Sequence, residues 1–243
     1  MKRVYLAGAF DNPRAADLRL LREASLRGSL TLLLSSDEDI ARTGGKPPKM
    51  GLSERIYFFE GIRYVDRVEV APPDLAAAGI DALDLSGADL SGYPYDAPPV
   101  GAPRAAGKKR VVVTGCYDYF HTGHLRFFEE AAEYGELNVI IGSDANVRLL
   151  KGEGHPLFPE DERRFVVGSC KSVARCLVST GSGWLDAEPE IKALRAERYV
   201  VNEDGDKPEK RRYCEENRIE YIVLRRIPKA GLPRRSSTDL RGY

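Results

Sequence analysis

Two histidines three residues apart, His121 and His124, flank Gly123 at the end of the stretch TGCYDYFHTGH, which runs from Thr114. At that spacing both imidazoles face one side of a helix's first turn. Gly123 lets a ligand approach the backbone closely, and the unpaired N–H groups of a helix start attract an anion. The combination suits a phosphate. Two blander uses compete with it. A shared zinc ion needs further ligands, for which the fold would have to recruit Cys116, Asp118 or His155. Plain packing of the histidines leaves the glycine loop beside them unexplained.

The elements that must hold this loop can be read on either side of it. Val111, Val112 and Val113 form a β-branched run that predicts a strand, and Leu125, Phe128 and Ala131/Ala132 recur at helical spacing. Downstream, Leu137–Gly142 reads as a buried strand. Further strands are expected, one closing at Val178–Thr180 and others over Tyr199–Val201 and Tyr221–Leu224, with helices over Glu188–Arg198 and Lys207–Asn217 between them. Such alternation implies a parallel sheet with helices on both faces, whose ligands bind at the carboxyl ends of the strands.

The chain also resembles itself. Setting Asp118 over Asp11, an offset of 118 − 11 = 107, aligns Val4, Gly8, Leu18, Arg19, Glu23, Gly28, Ser36 and Asp37 with Val111, Gly115, Leu125, Arg126, Glu130, Gly135, Ser143 and Asp144. One residue later the match resumes, Glu54-Arg55 over Glu162-Arg163. The expected fold class is therefore α/β: two tandem Rossmann-like parallel-sheet units, the first degenerate. Residues 1–86 form the first unit, 87–109 a Pro/Gly/Ala-rich linker and 110–243 the catalytic domain. In the first unit Arg14, Ala16 and Asp17 replace His121, Gly123 and His124, and a carboxylate at that place repels a triphosphate.

Composition limits the function classes. Lys plus Arg and Asp plus Glu both number 37, which argues against a nucleic-acid surface. The apolar run at the N-terminus stops at Asp11, too soon for a signal peptide or a membrane span, and the four cysteines show no CxxC spacing. A cytoplasmic protein with reduced thiols, and without nucleic-acid or membrane partners, is expected.

The run Gly115, Asp118, His121, Gly123, His124 resembles the GxxDxxHxGH signature of the cytidylyltransferase-like nucleotidyltransferases. That resemblance implies a Rossmann-like fold and transfer of a nucleotidyl group from a nucleoside triphosphate to a small phosphomonoester, with Mg²⁺ as cofactor. His121, His124 and Lys151 of the Lys-Gly pair would be catalytic, supplying charge and donors to the phosphates. Thr114, Gly115, Cys116, Tyr117, Gly123, Asp144 and Arg163 would bind the nucleotide. So would Arg235 with Ser236, Ser237 and Thr238, which resemble the family's terminal arginine and Ser/Thr run. The spacing there departs from the family form and leaves Arg226, Arg234 and Arg235 as alternatives for the arginine. Asp118 and Trp184 would face the acceptor. The loop and terminal run look most like those of glycerol-phosphate and ethanolamine-phosphate cytidylyltransferases, which implies CTP. The bacterial heptose-phosphate adenylyltransferases are similar too and make ATP the alternative. A nucleotide-binding regulatory module without turnover is the alternative of another class. The tandem units suggest an intrachain pseudo-dimer, and a homodimer is compatible with them.

Overall fold

The computed structural model describes residues 2–95 and 107–237 and divides into two compact units, Met1–Tyr93 and Pro94–Tyr243. The first unit runs in the order β1 (Arg3–Gly8), α1 (Ala15–Ser25), β2 (Ser29–Leu34), α2 (Asp37–Gly44), α3 (Leu52–Glu60) and β3 (Arg67–Val70). Its strands make a parallel sheet in the order β1-β2-β3. Residues 87–93, expected in the linker, belong to this unit because the Arg19 guanidinium on α1 donates to the carbonyls of Asp89 and Ser91.

The second unit contains β4 (Arg110–Gly115), α4 (Thr122–Ala132), β5 (Glu136–Ile141), α5 (Asp144–Lys151), α6 (Glu160–Gly168) and β6 (Val173–Val178). After these come α7 (Glu188–Leu194), β7 (Arg198–Asn202), α8 (Pro208–Glu216) and β8 (Glu220–Leu224). The sheet is parallel throughout, ordered β6-β5-β4-β7-β8. Strand order therefore reverses beside β4, and the crevice of such a sheet opens beyond the carboxyl ends of β4 and β7. The helices follow the apolar spacing. On α4, Leu125, Phe128 and Ala131 are fully buried, and the phenyl ring alone contributes about 1.5–3 kcal/mol by leaving water. On the opposite face, Val112 packs in a cluster with Ile191, Leu194, Tyr199, Val201, Tyr213 and Cys214. The helix expected over Glu188–Arg198 stops at Leu194, because Arg195 takes a left-handed conformation (φ 51°) and its N–H bonds back to Ile191 and Lys192.

The bounds of β4, α4, β5 and α5 lie 107 residues after those of β1, α1, β2 and α2, and α6 lies 108 after α3 (160 − 52). The internal hydrogen bonds correspond as well. Arg55 donates to the carbonyls of Met50 and Ala9 and to the Asp37 carboxylate; Arg163 donates to those of Phe158 and Cys116 and to Asp144. Asp11 accepts from the backbone N–H groups of Lys49 and Met50, as Asp118 does from Leu157 and Phe158. Phe10 and Tyr117 both adopt positive φ, 46° and 52°, and lay their rings on Gly8 and Gly115, where a Cβ would stand 2.8 and 2.9 Å from a ring carbon.

The correspondence ends after β3. Pro73-Asp74-Leu75, which echo Pro189-Glu190-Ile191 of α7, lie in a turn whose residues are mostly exposed. Without apolar partners for a helix face, none forms there. Next to β1, where β7 flanks β4, a single parallel bridge joins Tyr5 to Ala82. Among the described residues the first unit has no counterpart of α8 or β8.

Candidate active site

At the carboxyl end of β4 the chain turns sharply through Tyr117 and re-enters a helix at His121, the N-cap of α4. His121 is in extended backbone, and its Nδ1 accepts a hydrogen bond from the Gly123 N–H at 3.1 Å. The two imidazoles stack, with centroids 3.9 Å apart and planes 20° apart. His121 is the inner ring, buried, while His124 reaches the wall of a cavity of ≈ 380 Å³. Gly123 is required by close approach: a Cβ there would meet the His121 ring at 2.9 Å and the Arg235 carbonyl at 3.6 Å.

The cavity sits in the crevice that the strand order predicts. Thr114 to Asp118 line it from β4, Lys151 from the last residue of α5, and Ser236 and Ser237 from the C-terminal segment. The opposite wall comes from Val201, Asn202, Asp204 and Gly205 after β7 and from Lys210 on α8. Phe127 and Arg226 complete it. Lys210 and Phe127 carried no signal in the sequence, since neither lies in a recognisable motif.

Burial pushes the His124 pKa well below the usual imidazole value, and the neighbouring His121, Arg226 and Lys151 push it further down. At neutral pH His124 is thus uncharged, and the cations on the cavity wall are Lys151, Lys210 and Arg226. A depressed native pKa means that the unfolded chain binds a proton that the folded site refuses. Stability is therefore full above the unfolded value of about 6.5 and falls below it, by up to about 1.4 kcal/mol per pH unit for this one group. Urea unfolding at pH 7.5 and 5.5 should show that loss, and His124→Asn should reduce it.

Several expected ligand contacts are structural instead. Arg163, 1% exposed, lies beneath the loop: its Nε donates to the Phe158 carbonyl (2.9 Å), Nη1 to that of Cys116 (2.8 Å) and Nη2 to Asp144 (2.6 Å). Neither Arg163 nor Asp144 lines the cavity, because each satisfies the other. Asp118 does line it, yet its Oδ1 accepts from the N–H groups of Leu157 and Phe158 (2.7 and 3.1 Å) and its Oδ2 lies 3.7 Å from His155 Nδ1. The Arg235 carbonyl accepts from Arg226 Nη2 at 3.0 Å, and Arg226 also donates to Asp204 at 2.8 Å. Of the three arginines offered as alternatives, Arg226 lines the cavity. Ser237 Oγ donates to the Tyr119 carbonyl (3.2 Å), seating the terminal run against the loop, and Thr238 lies outside the described residues.

Trp184 is not on the wall. It stands 54% exposed on a loop fixed by the Asn146 amide, which exchanges hydrogen bonds with Gly183 (2.8 and 3.2 Å). Trp184→Ala should shift stability by no more than about 0.5 kcal/mol, and the wild-type fluorescence should be that of a water-exposed indole. Among the described residues no three His, Cys, Asp or Glu side chains gather as metal ligands, and no helix is long and apolar enough to cross a membrane.

Among curated proteins the chain is similar to the bifunctional protein HldE of Aliarcobacter butzleri, 40% identical over 68 residues, which is 28% of this chain and 14% of that protein. It is similarly 42% identical over 71 residues to the bifunctional protein HldE of Geobacter metallireducens, 29% of this chain and again 14% of the relative. The chain thus spans about a seventh of the length of these relatives. Among solved structures it is similar to the lipopolysaccharide core biosynthesis protein of Thermoplasma volcanium, with TM-score 0.42, 22% identity and coverage of 51% of this chain and 99% of the other. A second is the pantothenate synthetase of Thermus thermophilus, with TM-score 0.40, 14% identity and coverage of 58% and 63%. A family model described as cytidylyltransferase-like matches residues 112–241, from within β4 to beyond the last described residue. That span is more than half of the chain and holds every strand around the cavity, so the chain belongs to the cytidylyltransferase-like family of nucleotidyltransferases.

Proposed function

We propose that this chain joins a small phosphomonoester to the α-phosphate of a nucleoside triphosphate and releases pyrophosphate. The observation that carries the proposal is the convergence of His124, Lys151, Arg226 and the Ser236-Ser237 pair on one cavity at the sheet's crevice. A phosphomonoester oxygen attacks the α-phosphorus; a new P–O bond forms as the bond to the β-phosphate oxygen breaks, and the electron pair leaves with pyrophosphate. No covalent nucleophile is needed. Lys151 and Arg226 offset the charge that grows on the leaving pyrophosphate, and neutral His124 donates a hydrogen bond to a phosphate oxygen.

Magnesium fits this donor set as an ion held chiefly by substrate phosphates. Of the two carboxylates on the wall, Asp118 is committed to backbone N–H groups and Asp204 to Arg226, so the protein offers no cage of its own. When bound, Mg²⁺ supplies positive charge to the phosphates.

CTP is the first nucleotide to test, on the resemblance of the loop and terminal run to glycerol-phosphate and ethanolamine-phosphate cytidylyltransferases. ATP with a sugar phosphate is the second reading. It is carried by the resemblance to heptose-phosphate adenylyltransferases and by the run of about 40% identity to the HldE proteins.

The first unit is proposed to be a degenerate copy without turnover. Asp17 stands where His124 does, and its carboxylate accepts the Arg14 N–H at 2.7 Å, closing the helix start with an acid of its own. Among the described residues the unit also lacks counterparts of β7 and β8, the side of the sheet that supplies the opposite wall.

Pyrophosphate release measured with CTP or ATP, Mg²⁺ and glycerol, ethanolamine, choline and sugar phosphates tests the proposal. Turnover with one pair identifies nucleotide and acceptor together. Silence across the panel, with neither nucleotide raising the unfolding temperature, would overturn it in favour of a different role.

A further inference from the structure

In-line displacement at phosphorus sets the attacking and leaving groups on opposite sides of the α-phosphate. When the attacker is itself a phosphomonoester, two strongly anionic groups meet in one cavity, and each needs its own counter-charge. Three cations line the cavity: Lys151 from the last residue of α5, Arg226 from the segment after β8, where it is bonded to Asp204, and Lys210 from α8, beside Tyr199 of β7.

The surroundings of Lys210 are those of a poised binding group. Its Nζ lies 5.7 Å from the Tyr199 ring centroid and donates one hydrogen bond, to the Gly205 carbonyl at 3.3 Å. An ammonium has three donors, and among the described residues no carboxylate stands within ion-pair distance of this one. The Tyr199 hydroxyl is bonded to Thr114 Oγ1 at 2.5 Å, which places Thr114, Tyr199 and Lys210 together on the α8 side of β4 and β7. Thr114 and Lys210 both line the cavity. Burial lowers the Lys210 pKa, and Lys207 adds to the effect. A half-buried ammonium with spare donors and no paired acid is a costly feature unless an anion completes it.

We infer that Lys210, with Thr114 beside it, holds the phosphate of the acceptor, while Lys151 and Arg226 attend the leaving pyrophosphate. The inference rests on the nucleotidyltransferase proposal and divides the cations of its cavity between the two anions. It also restricts the acceptor class: the nucleophile is a terminal phosphate dianion, so a free alcohol or amine of the same skeleton should not be a substrate.

The test is calorimetric titration of the full chain, Lys210→Met and Lys210→Arg. The probes are α,β-methylene analogues of CTP and ATP with Mg²⁺, followed by inorganic phosphate added to the analogue-loaded protein. Lys210→Met should weaken phosphate binding about tenfold to a hundredfold, as loss of a charge-assisted hydrogen bond does. It should leave analogue affinity within about twofold, and Lys210→Arg should restore most of the phosphate affinity. Unchanged phosphate binding in Lys210→Met, or none by the loaded wild type at millimolar phosphate, would overturn the assignment. So would a parallel loss of analogue affinity, which would make Lys210 a nucleotide ligand. Failure of both analogues to bind the wild type would strike the nucleotidyltransferase proposal itself. Unfolding temperatures within a few degrees of wild type confirm that the variants are folded.

Discussion

His124→Ala is expected to lower turnover about 10²- to 10³-fold, the scale on which a single pre-aimed donor acts on developing phosphate charge. Nucleotide affinity should change far less, because Lys151, Arg226 and the Ser236-Ser237 segment remain on the wall. The effect belongs in kcat, since the donor is of most use when charge builds on the transferring group. His121→Ala should also be slow, for a different reason. Its ring is buried against that of His124, and its Nδ1 caps α4 through the Gly123 N–H, so its removal loosens the donor and the helix start together. The two variants should separate in urea: His121→Ala loses about 1 kcal/mol or more of stability, whereas His124→Ala loses less. Turnover near wild type in both would remove the histidines from the mechanism.

The other large effect is on folding. Arg163→Ala empties the site of a fully buried side chain and takes the donor from the Phe158 and Cys116 carbonyls and from the partly exposed Asp144 carboxylate, which should cost about 3 kcal/mol. Arg55→Ala should cost a comparable amount, since the same three kinds of partner surround it and it is wholly buried. Lysine should rescue neither, because one ammonium cannot reproduce a fork that reaches three oxygens from Arg163, and four from Arg55, in different directions. Denaturant midpoints decide the matter. If Arg163→Ala unfolds with the wild type and loses only nucleotide affinity, the guanidinium faces the ligand after all.

What was legible in the sequence was local. The β-branched run, the glycine loop and the apolar spacing after it gave β4, the turn and α4, and the self-similarity at 107 residues matches the bounds of four successive elements. Side chains whose job depends on distant partners were harder. Arg163 resembled a phosphate ligand, although the presence of Arg55 in a unit with Arg14 and Asp17 in place of the histidines already pointed to scaffolding. Asp144 was misplaced with it, because an acid next to a strand end looks the same whether it faces a cavity or an internal arginine. Lys210 was opaque, and Arg226 could be offered only as one of three alternatives, for a topological reason. They come from α8 and the segment after β8, and only the reversal of strand order beside β4 carries them to the glycine loop. The charge of His124 could not be read either, since it depends on burial and on Lys151 and Arg226 nearby.

The Arg163 staple also bears on the tempo of binding. A loop held from inside by its own guanidinium, with Asp118 gripping the Leu157 and Phe158 amides, is already in its working shape before any substrate arrives. Those two amides should exchange with deuterium as slowly in the empty protein as in the loaded one. Encounter with the nucleotide should then follow a single kinetic phase whose rate rises linearly with concentration and falls with added salt.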